Sequence, residues 1–118
     1  MGSLYGDYCR EKGWIIVETD RGFMSAIISG PICLVENFYV KPEYRGTGSA
    51  LQLTLQMVKR AEDAGCSEFA AEVYKSDPLY GYIVRLHRHF GMSVIEDTPY
   101  KTVTSKRINN DRPKIAIA

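Results

Sequence analysis

The chain is poor in the residues that staple small proteins. Its 118 residues include only three cysteines, Cys9, Cys33 and Cys66, and two histidines. The cysteines are odd in number, lack C-x-x-C spacing and belong to no His/Cys cluster, which argues against a disulfide scaffold and against a bound metal. Long apolar runs are missing as well. Candidates at residues 24–28 and 32–35 break far short of the ~18–20 residues a membrane span needs, and the start Met1-Gly-Ser-Leu-Tyr-Gly-Asp is not a signal peptide. These absences point to a soluble, reduced, cytoplasmic protein. Nor is there an excess of one charge: 15 Lys+Arg stand against 14 Asp+Glu, a net +1. Nucleic-acid binding is therefore not expected, because it normally needs a basic excess to neutralise phosphates. Only the distribution is uneven, at −2 over residues 1–40, 0 over 41–76 and +3 over 77–118. The basic end reads as a solvated C-terminal strand and tail.

What is present is the composition of one ordinary globular domain, 45% apolar and 25% charged, with no repeat, low-complexity stretch or linker. A single domain over residues 1–118 is expected, with its core at about 12–106. Gly13-Trp-Ile-Ile-Val-Glu-Thr and Phe23-Met-Ser-Ala-Ile-Ile-Ser are β-branched runs flanking the turn Asp20-Arg21-Gly22, and read as a hairpin. A third strand runs from Ile32 to Val40. The period then changes: Leu51, Leu55 and Val58, with Leu53, Met57, Ala61 and Ala64 widening the face, predict a helix from Ser49 that Gly65 caps. Glu68 to Tyr74 is a strand, and Ser76-Asp77-Pro78 opens a second helix carrying Leu79, Ile83, Leu86 and Phe90. Residues 92–95 and 100–105 read as a final hairpin. The predicted order is βββαβαββ, an α/β arrangement with a mixed sheet and helices packed on it. Trp14, Phe23, Phe69 and Tyr74 read as core aromatics, and Cys33 and Cys66 as small buried residues.

The segment richest in chemistry is Val40-Lys-Pro-Glu-Tyr-Arg-Gly-Thr-Gly-Ser-Ala-Leu. It joins a strand end to a helix start, where backbone N–H groups lack intrahelical acceptors and the peptide dipoles leave partial positive charge. Gly46 and Gly48 let the backbone approach a phosphate closely. A lone Gly-x-Gly also serves as a simple tight turn. Arg45, the small residues Ser49 and Ala50, and the position after an apolar strand favour the anion site.

These residues resemble the GNAT superfamily of acetyl-CoA-dependent N-acetyltransferases. Arg45-Gly-Thr-Gly-Ser-Ala matches its pyrophosphate signature Arg/Gln-x-x-Gly-x-Gly/Ala. Glu36-Asn-Phe-Tyr-Val-Lys-Pro-Glu-Tyr-Arg-Gly-Thr-Gly looks like its fourth strand and loop, and Leu86-His-Arg-His-Phe-Gly-Met resembles its Leu-Tyr-Glu-Lys-Leu-Gly-Phe helix end. The resemblance implies acetyl-CoA as donor, with its pyrophosphate on Arg45, Gly46, Thr47, Gly48, Ser49 and Ala50, and its pantetheine arm and acetyl carbonyl held by the backbone of Phe38 and Val40. An amine acceptor must lose a proton before it attacks, and the departing thiolate benefits from an acid. Glu36, in two-residue register with Phe38 and Val40, is the candidate base, its alternative being a charge on a solvated strand face. The family's usual tyrosine is replaced by His87, and its usual helix-opening asparagine by Tyr80. Either is a candidate acid, His87 through an imidazolium with its ordinary pKa near 6.5.

Family members usually carry two helices ahead of the hairpin. The short lead-in here implies an acceptor site that is open to a protein terminus or lysine, one closed by the second subunit of a homodimer, or a protein that only binds acyl-CoA. With those helices missing, Trp14 and Ile16 should be exposed. The reading is an N-acetyltransferase acting on a primary amine by direct attack in a ternary complex without metal, with a non-catalytic acyl-CoA-binding or interaction module as the alternative.

Overall fold

A computed structural model of the chain describes residues 3–108. The end of the basic C-terminal tail therefore lies outside the described residues. The chain opens with a helix that the sequence pattern did not reveal, α1 (Leu4–Lys12). Its boundary signals are ordinary ones. Ser3 Oγ accepts the Gly6 N–H at 2.8 Å, and Gly13 ends the helix in the left-handed region at φ 78°. Its buried stripe is only Gly6 and Cys9, too thin to register as a hydrophobic period.

Three antiparallel strands follow, β1 (Ile15–Glu18), β2 (Gly22–Ser29) and β3 (Ile32–Val40), then α2 (Ser49–Asp63), β4 (Glu68–Tyr74), α3 (Tyr80–His89), β5 (Ser93–Asp97) and β6 (Lys101–Arg107). The order βββαβαββ is as expected, with α1 added in front. The six strands lie in one sheet in the order β1-β2-β3-β4-β6-β5, and β3 with β4 is its one parallel pair. The pair is joined by a β-α-β crossover through α2, the connection that parallel neighbours require.

The core lies under α2 and α3. Met24, Cys33, Val40, Leu53, Met57 and Phe69 form it, with Phe90 edge-on to Phe69 at 6.2 Å. The buried stripe of α2 is Ala50, Leu53, Met57, Val58 and Ala61, whereas Leu51 and Leu55 are exposed. The leucines fit an i, i+4 spacing, but the stripe facing the sheet is centred on Leu53 and Met57. Cys33, Cys66 and Phe69 are buried as expected; Tyr74 is exposed, because it ends β4 beyond the covering helices.

On the opposite face, α1 lies over the hairpin. The Tyr5 hydroxyl is 2.8 Å from Ser25 Oγ and accepts a hydrogen bond from Asn37 Nδ2 at 2.8 Å. This corrects the expectation of an exposed Trp14 and Ile16. Ile16 is buried, and Trp14 is half-buried with Tyr8 edge-on at 5.9 Å. The apolar face that motivated a homodimer is covered by the chain's own first helix.

Candidate functional site

The site arises where the two halves of the sheet part. β3 and β4 pair only from Ile32↔Glu68 to Val35↔Ala71. Beyond that point β3 stays with β2 as far as Val40↔Gly22, and β4 stays with β6 as far as Tyr74↔Lys101. The break coincides with a β-bulge, since Ala26 pairs with Val35 and Ser25 with Asn37, leaving Glu36 as the extra residue. A bulge bends its strand and increases local twist, so β3 turns away from β4.

The cleft so formed, of about 210 Å³, is lined by Glu36 and Phe38 from β3, Glu72 and Tyr74 from β4, and Ile83 and His87 from α3. Glu36 is therefore at the cleft, but by a different route from the one expected. The simple two-residue alternation that aligned it with Phe38 and Val40 is interrupted at this residue, and the bulge sets its direction. Its carboxylate has no hydrogen bond or ion pair among the described residues and is exposed. By contrast Glu72 is held by Lys101 Nζ at 2.9 Å.

The backbone of Phe38 and Val40 faces the open side of β3. Lys41 N–H donates to Arg21 O at 2.8 Å, and Gly22 O accepts from Thr19 on the β1 side at 2.9 Å. Val40, opposite Gly22, is thus a non-hydrogen-bonded pair whose own N–H and C=O point away from β2, and Phe38, two residues earlier, repeats that direction. Among the described residues no strand covers them. One of these groups is occupied: Arg45 Nε donates to Val40 O at 3.0 Å, with the guanidinium 5.7 Å from the ring centres of both Tyr39 and Tyr82. Arg45 opens the glycine loop, and its side chain lies back against the end of β3. The Tyr82 hydroxyl beside it is buried without a hydrogen-bond partner.

The loop itself is a 3₁₀ turn at Pro42–Tyr44 followed by Gly46 and Gly48, both left-handed at φ 81° and 90°. A Cβ added at either meets nothing within 4 Å. Glycine is thus required here first by backbone conformation, and the space beside it is open for a ligand. Thr47 Oγ1 bonds Tyr44 O at 2.5 Å and lies 3.0 Å from Ser49 Oγ. Gly48 precedes α2 without a side-chain cap, so the first N–H groups of the helix, at Ser49 and Ala50, remain available to an anion. A residue that sequence reasoning missed adjoins them. Arg21, in the β1–β2 turn, approaches Ser49 Oγ to 3.5 Å and stacks on Tyr44 at 4.7 Å.

The two candidate acids are placed differently. His87 lines the cleft, with Nδ1 2.9 Å from Thr104 Oγ1. Burial pushes its pKa down to about 4. The apolar surroundings penalise the charged ring, which favours the neutral imidazole at neutral pH. Tyr80 is not on the cleft wall. Its hydroxyl is 2.6 Å from Thr102 Oγ1, and Thr102 gives its single proton to Asp97 Oδ1 at 2.9 Å. Tyr80 must then donate to Thr102, so its proton is directed at β6. Asp97 is held below the usual carboxylate range by the hydrogen bonds from Lys75 and Thr102. Among the described residues no group of three or more His, Cys, Asp or Glu side chains could hold a metal ion, and no helix is long and apolar enough to cross a membrane.

The same architecture occurs in solved acetyltransferases. The chain is 18% identical to the PaiA N-acetyltransferase of Thermoplasma acidophilum, solved in complex with coenzyme A, with a TM-score of 0.73 over 89% of this chain and 69% of that one. It is 14% identical to Ard1 of Thermoplasma volcanium (TM-score 0.72, covering 90% and 78%). To an aminoglycoside 6'-N-acetyltransferase complexed with coenzyme A it is 13% identical (TM-score 0.71, covering 90% and 79%). At such identities the likeness shows the fold. No curated protein matches the chain in sequence. The family assignment rests on a sequence model: residues 5–92, spanning α1, the splayed strands, the glycine loop and α3, match the model of the acetyltransferase (GNAT) family, and the chain belongs to that family.

Proposed function

We propose that this protein transfers the acetyl group of acetyl-CoA to a primary amine, on a small molecule or a protein, by direct attack in a ternary complex. The observation that carries the reading is the open side of β3. Phe38 and Val40 turn their backbone groups away from β2 where β4 has parted, Val40 O being held by Arg45 Nε, and β3 runs on into the glycine loop and the start of α2, so an extended amide-bearing arm with a diphosphate at its far end fits both. Two of the structural neighbours were solved with coenzyme A.

In this reading Phe38 and Val40 pair with the pantetheine arm, and Arg45 swings off Val40 O as the arm arrives. Arg45, Gly46, Thr47, Gly48, Ser49 and Ala50 surround the pyrophosphate, with helix and loop N–H groups as donors. Glu36, the cleft carboxylate free of internal partners, takes a proton from the acceptor ammonium through water. The amine nitrogen forms a bond to the acetyl carbon and the carbon–sulfur bond breaks. The departing thiolate then recovers a proton from the newly cationic nitrogen or from solvent. His87, neutral, and Tyr80, committed to Thr102, are not needed as acids in this scheme. His87 shapes the cleft wall instead.

The test combines calorimetric titration with CoA and a free-thiol release screen over amines. CoA binding with amine-dependent thiol release supports the proposal. CoA binding without release for any amine class leaves the non-catalytic acyl-CoA-binding module as the reading. Failure to bind CoA overturns both.

A further inference from the structure

We infer that Arg21, from the β1–β2 turn, supplies a further cation to the diphosphate of the acyl donor, from the side of the loop where Arg45 does not lie in this geometry. The inference rests on the donor reading above. Arg45 is the arginine of the local motif, yet its Nε is spent on Val40 O and its guanidinium lies between Tyr39 and Tyr82, on the cleft side of the loop. Arg21 reaches the other side. Its Nη1 is 3.5 Å from Ser49 Oγ, at the first residue of α2, where the helix N–H groups and the two left-handed glycines leave room for an anion.

Three features make this more than a surface arginine near a helix. Arg21 has no carboxylate partner among the described residues, so its charge is not already neutralised internally. The Tyr44 ring centre is 4.7 Å from the guanidinium carbon, and Tyr44 belongs to the loop itself, so the cation is held against the loop. The backbone of Arg21 is also pinned: its N–H donates to Thr19 Oγ1 at 3.1 Å, and its carbonyl accepts Lys41 N–H at 2.8 Å. That second bond ties the hairpin turn to the start of the phosphate loop. A guanidinium presents two parallel N–H groups to a phosphate, and such charge-assisted bonds are about twice as strong as neutral ones.

The experiment compares the parent, Arg21→Gln and Arg21→Lys by titration with CoA and with 3′-dephospho-CoA, alongside the thermal midpoint of each free protein. The backbone bonds of Arg21 survive both substitutions, so the free proteins should melt together. Expected is about a tenfold or greater loss of affinity for both ligands in Arg21→Gln, by the same factor, with only part of it restored in Arg21→Lys, whose ammonium supplies the charge without the paired N–H groups or the stacking on Tyr44. The loss should shrink as salt rises. Equal affinities of parent and Arg21→Gln would overturn the inference while leaving the donor reading intact. So would a loss seen with CoA but absent with 3′-dephospho-CoA, which would assign Arg21 to the 3′-phosphate. A midpoint lowered in step with affinity would reduce Arg21 to a scaffold role. A parent that binds neither ligand overturns the donor reading, and this inference with it.

Discussion

Glu36 and His87 illustrate how environment assigns work to titratable side chains on one cleft. Glu36 is exposed, free of partners among the described residues and placed by a bulge, and in the proposed reaction its carboxylate would take a proton from the acceptor amine through water. Glu36→Gln keeps the shape and removes the basicity. Turnover should fall by about ten- to a thousandfold with CoA affinity nearly unchanged, read from steady-state rates and titration. His87 behaves oppositely. Its folded pKa of about 4 lies below its ordinary 6.5, so between those values the unfolded chain takes up a proton that the folded chain refuses. Its contribution to stability is therefore full above pH 6.5, declines as the pH falls, and is lost once the pH is below about 4. Urea midpoints of the parent should drop between pH 7.5 and 5, and His87→Gln should lessen that drop. The cysteines are simpler. Burial, with a smaller contribution from Cys66, pushes the Cys33 thiol up to about 12, so Cys33 should resist alkylation in the native protein and react only on unfolding.

At the scale of elements, the cleft depends on β3 serving two masters. Its first half pairs with both β2 and β4, its second half with β2 alone, and the bulge at Glu36 marks the change. The approach of β2 to the end of β3 is correspondingly tight: a Cβ on Gly22 would meet the Tyr39 carbonyl oxygen at 2.1 Å and Val40 Cα at 2.9 Å. Both are backbone atoms that cannot move aside cheaply. Gly22→Ala should destabilise the fold by roughly 1–3 kcal/mol in chemical denaturation. It should also weaken CoA binding, because it pushes on the strand that carries the Val40 backbone groups. Gly48 offers a less clear experiment. At φ 90° any side chain strains the loop before it obstructs a phosphate, so Gly48→Val would mix a folding effect with a binding one.

For the whole molecule, the two halves of the sheet, β1-β2-β3 and β4-β6-β5, share only a short parallel ladder and the helices above it. A donor arm pairing with β3 and filling the cleft would bridge the halves. Saturating CoA should then raise the thermal midpoint by several degrees, since ligand at about a hundred times its Kd adds about 2.7 kcal/mol to stability. An unchanged midpoint in the presence of CoA would count against the bridging arrangement.

The linear pattern by itself determined most of the fold. Strand alternation, the period of α2, and the glycines at the turns are local properties, written within a few residues of where they act, and the Arg45–Ala50 block carried the family's mark. Residue registers that depend on a neighbour were a different matter. The bulge at Glu36 exists because β2 and β3 pair with one residue to spare, the thin stripe of α1 makes sense only once Tyr5 meets Ser25 and Asn37, and the pKa of His87 follows from packing against β6. Arg21 reached the glycine loop and Ser49 for the same reason. Nothing in Asp20-Arg21-Gly22 distinguishes it from any hairpin turn; only the antiparallel pairing of β2 with β3 carries it to the start of α2. Contacts between residues distant in sequence are set by how the surfaces of whole elements fit, and that information appears only when the elements have packed.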